Sequence, residues 1–303
     1  MIKLKKNNQI GNLFSLLLLS IIFFFVYFYR DDIIKYMYSI IYPKEIIIQK
    51  SNEYKVNYNF NYIKETDNFI IKNEKEFLDA FYTILNNGWN DFKFYCDNNY
   101  LTCQEDINRI IKENISTANI NNFVSPFNEY ESLSMIVDSK GEINIKFIKG
   151  YKEEEIDIIN DNIDKVINEK INNKMSDYEK VLTLHDLIIN NSKYGTENAL
   201  SNHATGIILY GNGNCSAYTD LMALFLNKLN IPNYRIASND HTWNLVYIDN
   251  EWKHIDLTWD DPVIKNADKD ILTHDYFLIN TKKLFELDKD NHNFNKNIYI
   301  EAN

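Results

Sequence analysis

Three residues of this chain could together carry nucleophilic chemistry: Cys215, His241 and Asp256. Cys215 follows Gly-Asn-Gly-Asn and opens the run CSAYTDLMALFLNKLNIP, in which Ala217, Leu221, Met222, Leu224 and Phe225 give a broad apolar helical face and Pro232 supplies a stop. A thiol at a helix N-terminus feels the positive end of the dipole and the unpaired amides there, which favour a thiolate and any oxyanion it creates. Gly211 and Gly213 predict close backbone approach and room for a substrate. The plain alternative is a buried core cysteine. A base in reach of the thiol separates the two.

HTWNLVYIDNEWKHIDLTW predicts a hairpin that turns at Asp249-Asn250, residues that tolerate a primed turn. A two-residue turn sets Ile248 opposite Glu251 and Trp243 opposite Asp256. His241 then lies opposite Thr258 and diagonal to Asp256 on one face, where Cβ atoms stand about 7–8 Å apart. A slip of one residue would send the two to opposite faces. A cysteine facing this pair would be activated as serine is in Ser–His–Asp sites, the imidazole taking the proton and the carboxylate fixing its tautomer.

Other residues read more simply. His203 either lines a cleft or makes a structural hydrogen bond, His254 shares a face with Asp256 in a structural role, and His185 sits in a helix with no nameable partner. Trp243 and Trp259 are expected to shield the imidazole–carboxylate pair from water or to contact substrate. Asp260-Asp261-Pro262 predicts a solvated turn. DKDNHNFNKNIYI begins like a calcium loop at Asp288 and Asp290, then offers His292, Asn293 and Tyr299 where such a loop needs an Asp or Asn, a Gly and a Glu. No Gly-rich phosphate loop occurs, and neither a cofactor nor a metal is expected.

The elements that must position these residues lie within 303 residues of ordinary globular composition, 45% apolar and 25% charged. A net charge of -11 argues against a nucleic-acid partner. Leu13 to Tyr29 carries no charge and follows Lys3, Lys5 and Lys6, so 13–29 is expected to be an uncleaved transmembrane anchor of about 25 Å. The lysines before it place the N-terminus, 1–12, in the cytoplasm and the rest of the chain outside the cell, after a stalk at 30–52. A cleaved signal peptide is the rival.

Residues 53–150 predict a smaller α+β domain: a strand at VNYNFNY, a helix at Glu74 to Asn87 ended by Gly88, a strand at DFKFYC, a helix with Ile107, Ile110 and Ile111 inward, and a hairpin turning at Asp138 to Gly141. Cys96 and Cys103 could be bridged outside a cell or remain ordinary core residues. From 151 to 303, helices carrying Ile156, Ile159, Ile163, Val166, Ile167 and Ile171, then Ser176 with Glu179 as a capping box, precede the Cys215 helix. Antiparallel strands at NYRIAS, HTWNLVYI, EWKHIDLTW and DYFLIN follow, which gives α+β rather than a doubly wound sheet.

The order Cys215, His241, Asp256 within GNGNCSAYTDLMALFLNKLNIP, HTWNLVYIDNEW and HIDLTWDDP resembles the transglutaminase-like superfamily, notably its bacterial membrane-anchored or secreted members. The resemblance covers about Tyr178 to Asn280, and YCDNNYLTC resembles more weakly the region preceding the core in some of those proteins. It implies a papain-like α+β core with the cysteine helix on an antiparallel sheet, Cys215 as nucleophile, His241 as base and Asp256 as orienting acid. Ser216 departs from the larger polar residue of many relatives. The activity implied is thiol acyl transfer on protein or peptide amides of the cell envelope, with peptidase or amidase action favoured over crosslinking. A non-catalytic binding module on the same fold is the alternative.

Overall fold

The structure, a computed structural model, describes residues 69–113, 115–138, 141–262 and 271–303, with scattered positions between 15 and 30. The chain divides into units 1–47 and 48–303. In the first unit most described positions are helical. The expected anchor at Leu13–Tyr29, taken as a whole, lies outside the described residues, as do the 30–52 stalk and the VNYNFNY strand. Among the described residues no helix is long and apolar enough to cross a membrane.

In the second unit, β1 (Phe69–Ile71), α1 (Glu74–Asn86) and β2 (Asp91–Cys96) come first. They are followed by α2 (Cys103–Glu113), α3 (Ile115–Asn121), β3 (Tyr130–Val137) and β4 (Glu142–Lys149). The strands form a sheet in the order β1-β2-β4-β3, with β1 parallel to β2 and the other pairs antiparallel. Helix α1 starts where the Asn73 side chain accepts from the Glu76 amide and stops before Gly88, whose φ of 70° suits a residue without Cβ. Its buried face drives Phe77 and Phe81 against Phe94, Tyr130 and Phe147. Each such ring contributes roughly 1.5–3 kcal/mol by leaving water. The β3–β4 hairpin turns as expected, with the Glu142 amide donating to Asp138 and Gly141 at φ 81°. Cys96 at the end of β2 and Cys103 at the start of α2 form a disulfide, their Cα atoms 6.0 Å apart.

A second core gathers α4 (Glu153–Lys170), α5 (Asp177–Asn190), α6 (Ala204–Tyr210) and α7 (Cys215–Lys228). The capping box at Ser176 is present: its hydroxyl accepts from the Glu179 amide at 3.2 Å, and Glu179 accepts from the Ser176 amide at 2.7 Å. Short strands β5 (Lys193–Tyr194) and β6 (Asn212–Gly213) pair in parallel just before the Cys215 helix. Against α7 lies an antiparallel sheet of β7 (Asn233–Ala237), β8 (Thr242–Ile248) and β9 (Glu251–Ile255) in sequential order. The last helix, α8 (Thr281–Asp288), packs its Leu284 into a third core with Trp243 and Trp252.

The turn between β8 and β9 is the two-residue one expected, with Asp249 at φ 52° and Asn250 at φ 65°, and it pairs Ile248 with Glu251. The ladder ends one step early, at Asn244 and Ile255, because the Asp256 amide instead donates to the Tyr276 carbonyl. DYFLIN, expected as a strand, makes only an isolated bridge from Ile279 to His254. Asp275 and Tyr276 belong to a turn, and the Tyr276 amide is committed to the Asp260 carboxylate.

Candidate active site

Helix α7 is apolar nearly all round, and every residue from Ala217 to Leu226 is buried, as expected of a helix enclosed by a core. Its polar groups fix its position. The Thr219 hydroxyl donates to the Thr242 carbonyl at 3.0 Å, and the Asn244 side chain donates to the Thr219 carbonyl at 3.0 Å. Cys215 lies one turn before Thr219 on the same helical face, and His241 immediately precedes Thr242. Two hydrogen bonds between a helix and a strand therefore dock the thiol beside the imidazole.

Asn214 caps the helix, its side chain accepting from the Ser216 and Ala217 amides at 3.0 and 3.4 Å. The two glycines expected to clear space for a substrate serve the scaffold. Gly211 ends α6 in the left-handed region at φ 66°. Gly213 is buried, and a Cβ there would meet the Ala217 Cβ at 2.6 Å and Ile207 at 2.9 Å.

His241 Nε2 stands 2.5 Å from Asp256 Oδ2. The Asp256 carboxylate is 1% exposed and has four partners. Oδ1 accepts from the Thr258 and Trp259 amides at 3.0 and 3.2 Å. Oδ2 faces His241 and also His292 Nε2 at 2.9 Å. His292 is fully buried, and its Nδ1 stands 2.9 Å from the Asp288 carbonyl oxygen. Around the His241 ring, Trp243 stacks at 5.6 Å while Trp259 and His292 stand edge-on. The carboxylate and the rings together hold the imidazole in one orientation. This leaves Nδ1 as the ring nitrogen free for sulfur.

The electrostatics follow from this geometry. Burial pushes the Cys215 thiol up, but the hydrogen bond and charge of His241, helped by the Thr242 backbone, outweigh it and bring the thiol below its ordinary 9.0. Burial pushes His241 down, yet the Asp256 charge and hydrogen bond raise it to about 10. Burial raises Asp256, and the opposing charge and hydrogen bonds of His241 and His292 bring it below its usual value. A thiolate beside an imidazolium is the charge state this arrangement favours. Beside His241 opens a cleft of ≈ 410 Å³ lined by Tyr194, Asp240, Thr258, Trp259, Pro262 and Asn291.

The structure thus brings together Cys215, His241 and Asp256, and adds His292. Sequence reasoning missed His292, which was weighed only as a failed calcium ligand; a lone histidine 36 residues from its partner in the chain carries no periodic signal. His254 is structural, as expected: Trp243 Nε1–H donates to its Nδ1 at 3.1 Å, Nε2 bonds Thr281, and burial lowers its pKa to about 3. His203 bonds Glu155 at 2.9 Å. Asp260 and Asp261, expected in a solvated turn, are buried; Asp260 accepts from the Thr273 hydroxyl and the Tyr276 amide, and Asp261 from the Tyr218 hydroxyl. His185, which lacked a partner in the sequence, faces Asp186 and Asp260.

Two groups among the described residues bring ligating atoms within 4.8 Å of one another: His241, Asp256 and His292, and His185, Asp186 and His274. In the first, both imidazoles are spent on one carboxylate oxygen.

A buried helix presenting a thiol to an imidazole–carboxylate pair on an adjoining antiparallel sheet defines a class of α+β protein. Residues 164–257, which hold Cys215, His241 and Asp256, match the model of the transglutaminase-like superfamily, and the chain carries a transglutaminase-like domain over that span. Among solved structures, one described as a TGase is similar at 17% identity and a TM-score of 0.31, covering 49% of this chain and 49% of that one. A candidate cysteine protease from Cytophaga hutchinsonii is similar at 18% identity and a TM-score of 0.28, covering 42% of this chain and 61% of that one. A candidate protease from Parabacteroides distasonis is similar at 12% identity and a TM-score of 0.24, covering 43% and 40%. The chain therefore spans about half the length of these proteins. No curated protein matches the sequence.

Proposed function

We propose that the protein is a cysteine-dependent acyl-transfer enzyme acting on protein or peptide amides, with Cys215 as nucleophile, His241 as acid and base, and Asp256 as the orienting carboxylate. The reading rests on one observation: the helix that opens at Cys215 is docked on the strand that begins beside His241, an imidazole whose far nitrogen is 2.5 Å from a buried carboxylate. The thiolate attacks the amide carbon, and the C=O pair moves onto oxygen. The Cys215 backbone N–H at the helix N-terminus is the proposed donor to that oxyanion. As the C–N bond breaks, His241 gives its proton to the leaving amine and a thioester remains on Cys215. Water or a second amine then attacks, losing its proton to His241, and the thiolate departs.

Hydrolysis is favoured over crosslinking because the cleft beside His241 is open to water. Envelope proteins are the proposed substrates, on the strength of the uncharged Leu13–Tyr29 run as an anchor that leaves the domain outside the cell.

Incubation with peptide amides, followed by mass spectrometry of the trapped protein, tests the chemistry. The expected product is an acyl adduct confined to Cys215 and absent from Cys215→Ala. A Cys215 that forms no adduct and reacts with iodoacetamide no faster than free cysteine would return the domain to a binding role. Membrane pelleting of a chain beginning near Met1 tests the anchor; a soluble form beginning near residue 30 overturns it.

A further inference from the structure

The second cluster, between helix α5 and the 272–277 segment, is not used by the proposed chemistry. His185 is fully buried, and each ring nitrogen faces a carboxylate: Nδ1 lies 2.9 Å from Asp186 Oδ1, and Nε2 lies 3.2 Å from Asp260 Oδ2. From a separate segment His274 Nε2 reaches the same Asp186 oxygen at 2.7 Å. A neutral imidazole carries one N–H and one lone pair. Asp260 is itself fully buried and, besides His185, accepts from Thr273 and Tyr276. His185 Nε2 faces this enclosed carboxylate, and Nδ1 faces Asp186. Two ring nitrogens from separate segments thus converge on one carboxylate oxygen, all three atoms within 4.8 Å of one another.

We propose that His185 Nδ1, Asp186 and His274 Nε2 bind a divalent first-row transition ion of the zinc type, clipping α5 to the 272–277 segment. Two imidazoles and one carboxylate suit Zn²⁺, whose bonds to nitrogen run about 2.0–2.1 Å. Tetrahedral placement sets ligand atoms about 3.3 Å apart, against the 2.7 and 2.9 Å of the present contacts, so small rotations of Asp186 and His274 admit the ion. His185 is already braced as metal-bound histidines are, its second nitrogen held by the Asp260 carboxylate. Phe277 packs edge-on against both imidazoles, at 5.0 and 5.7 Å, and closes one side. The half-exposed His274 and Asp186 leave the other side to water as a fourth ligand. The ion is structural. It would fix Thr273 and Tyr276 on Asp260, whose amide donates to the Asp256 carbonyl at 3.2 Å.

The test uses the full chain in a Cys215→Ala background, which removes the thiol as a competing ligand, stripped with EDTA and titrated with Zn²⁺ by calorimetry and with Co²⁺ by visible absorption. One ion per chain is expected, with a rise in Tm. Affinity should fall at least tenfold in His274→Ala and in Asp186→Asn, both at partly exposed positions where folding, checked by circular dichroism, should survive. His292→Ala should bind as tightly as the parent. No binding by the parent overturns the proposal. So does affinity that survives His274→Ala, or affinity lost instead in His292→Ala, which would move the ion to the other cluster.

Discussion

At Cys215 the decisive fact is that burial and pairing oppose each other and pairing wins. The sign of the pH dependence follows. The thiol ionises below its ordinary 9.0, and His241 keeps its proton until about 10. Turnover and alkylation should therefore rise as the thiol ionises, and turnover should fall again near pH 10 as the imidazolium is lost. A profile of kcat/KM against pH checks both limbs, and His241→Ala should slow iodoacetamide labelling of Cys215 at neutral pH. Asp256→Asn keeps the shape of the side chain but not its charge, and should lower kcat by roughly two to four orders of magnitude if serine-triad behaviour carries over. His292 touches Asp256 and not the thiol, so it is a positioning residue. His292→Asn should cost about 10- to 100-fold, the equivalent of one charge-assisted hydrogen bond of ~1.5–3 kcal/mol, and should shift the alkaline limb of the profile, which mere loosening of the fold would leave in place.

Among the elements, the β8–β9 hairpin was legible because its turn chemistry is local: Asp249 and Asn250 both occupy the left-handed region, and that alone sets which residues share a face with His241. The Cys215 helix was legible from its apolar run and the Ser176 box from its spacing. What escaped the sequence were contacts made across long loops. Asp260 and Asp261 resemble a solvated turn until Thr273, Tyr276 and Tyr218 arrive to satisfy them. The 275–280 segment has strand-like composition but gives β9 the Ile279 amide alone in an isolated bridge, while the Tyr276 amide goes to Asp260. The hairpin reading has its own check. Asn250→Val should cost about 1–2 kcal/mol, since a β-branched residue resists the left-handed region, while Asn250→Gly should be neutral or slightly stabilising; urea unfolding measures both. Insertion of one residue between Asp249 and Asn250 should abolish activity by turning Asp256 away from His241.

For the molecule as a whole, Arg235 on β7 is the joint between the first α+β layer and the Cys215 helix. It is 5% exposed, and its guanidinium donates to Glu129, to Asp220 at 2.6 Å and to the Asn121 carbonyl. Asp220, on the Cys215 helix, also accepts from the Tyr151 hydroxyl at 2.7 Å. Burial raises Asp220 to about 6 despite the Arg235 charge, a sign of how costly this carboxylate becomes when its partner is lost. Arg235→Ala should destabilise the fold by about 3–5 kcal/mol, as expected for an orphaned buried charge. Arg235→Met together with Asp220→Leu should recover much of that loss. Thermal unfolding of the single and double variants decides it.

The order of the site along the chain has a consequence for synthesis. A polypeptide emerging from its N-terminus presents Cys215 first, then His241, Asp256 and finally His292. At ~5–20 residues per second the thiol precedes the second grip on its carboxylate by roughly 4 to 15 s. Through the first ~1 to 5 s of that interval His241 has yet to be made and the sulfur lacks the imidazolium that makes it nucleophilic, so the growing chain is protected from its own chemistry while the helix that carries the thiol folds.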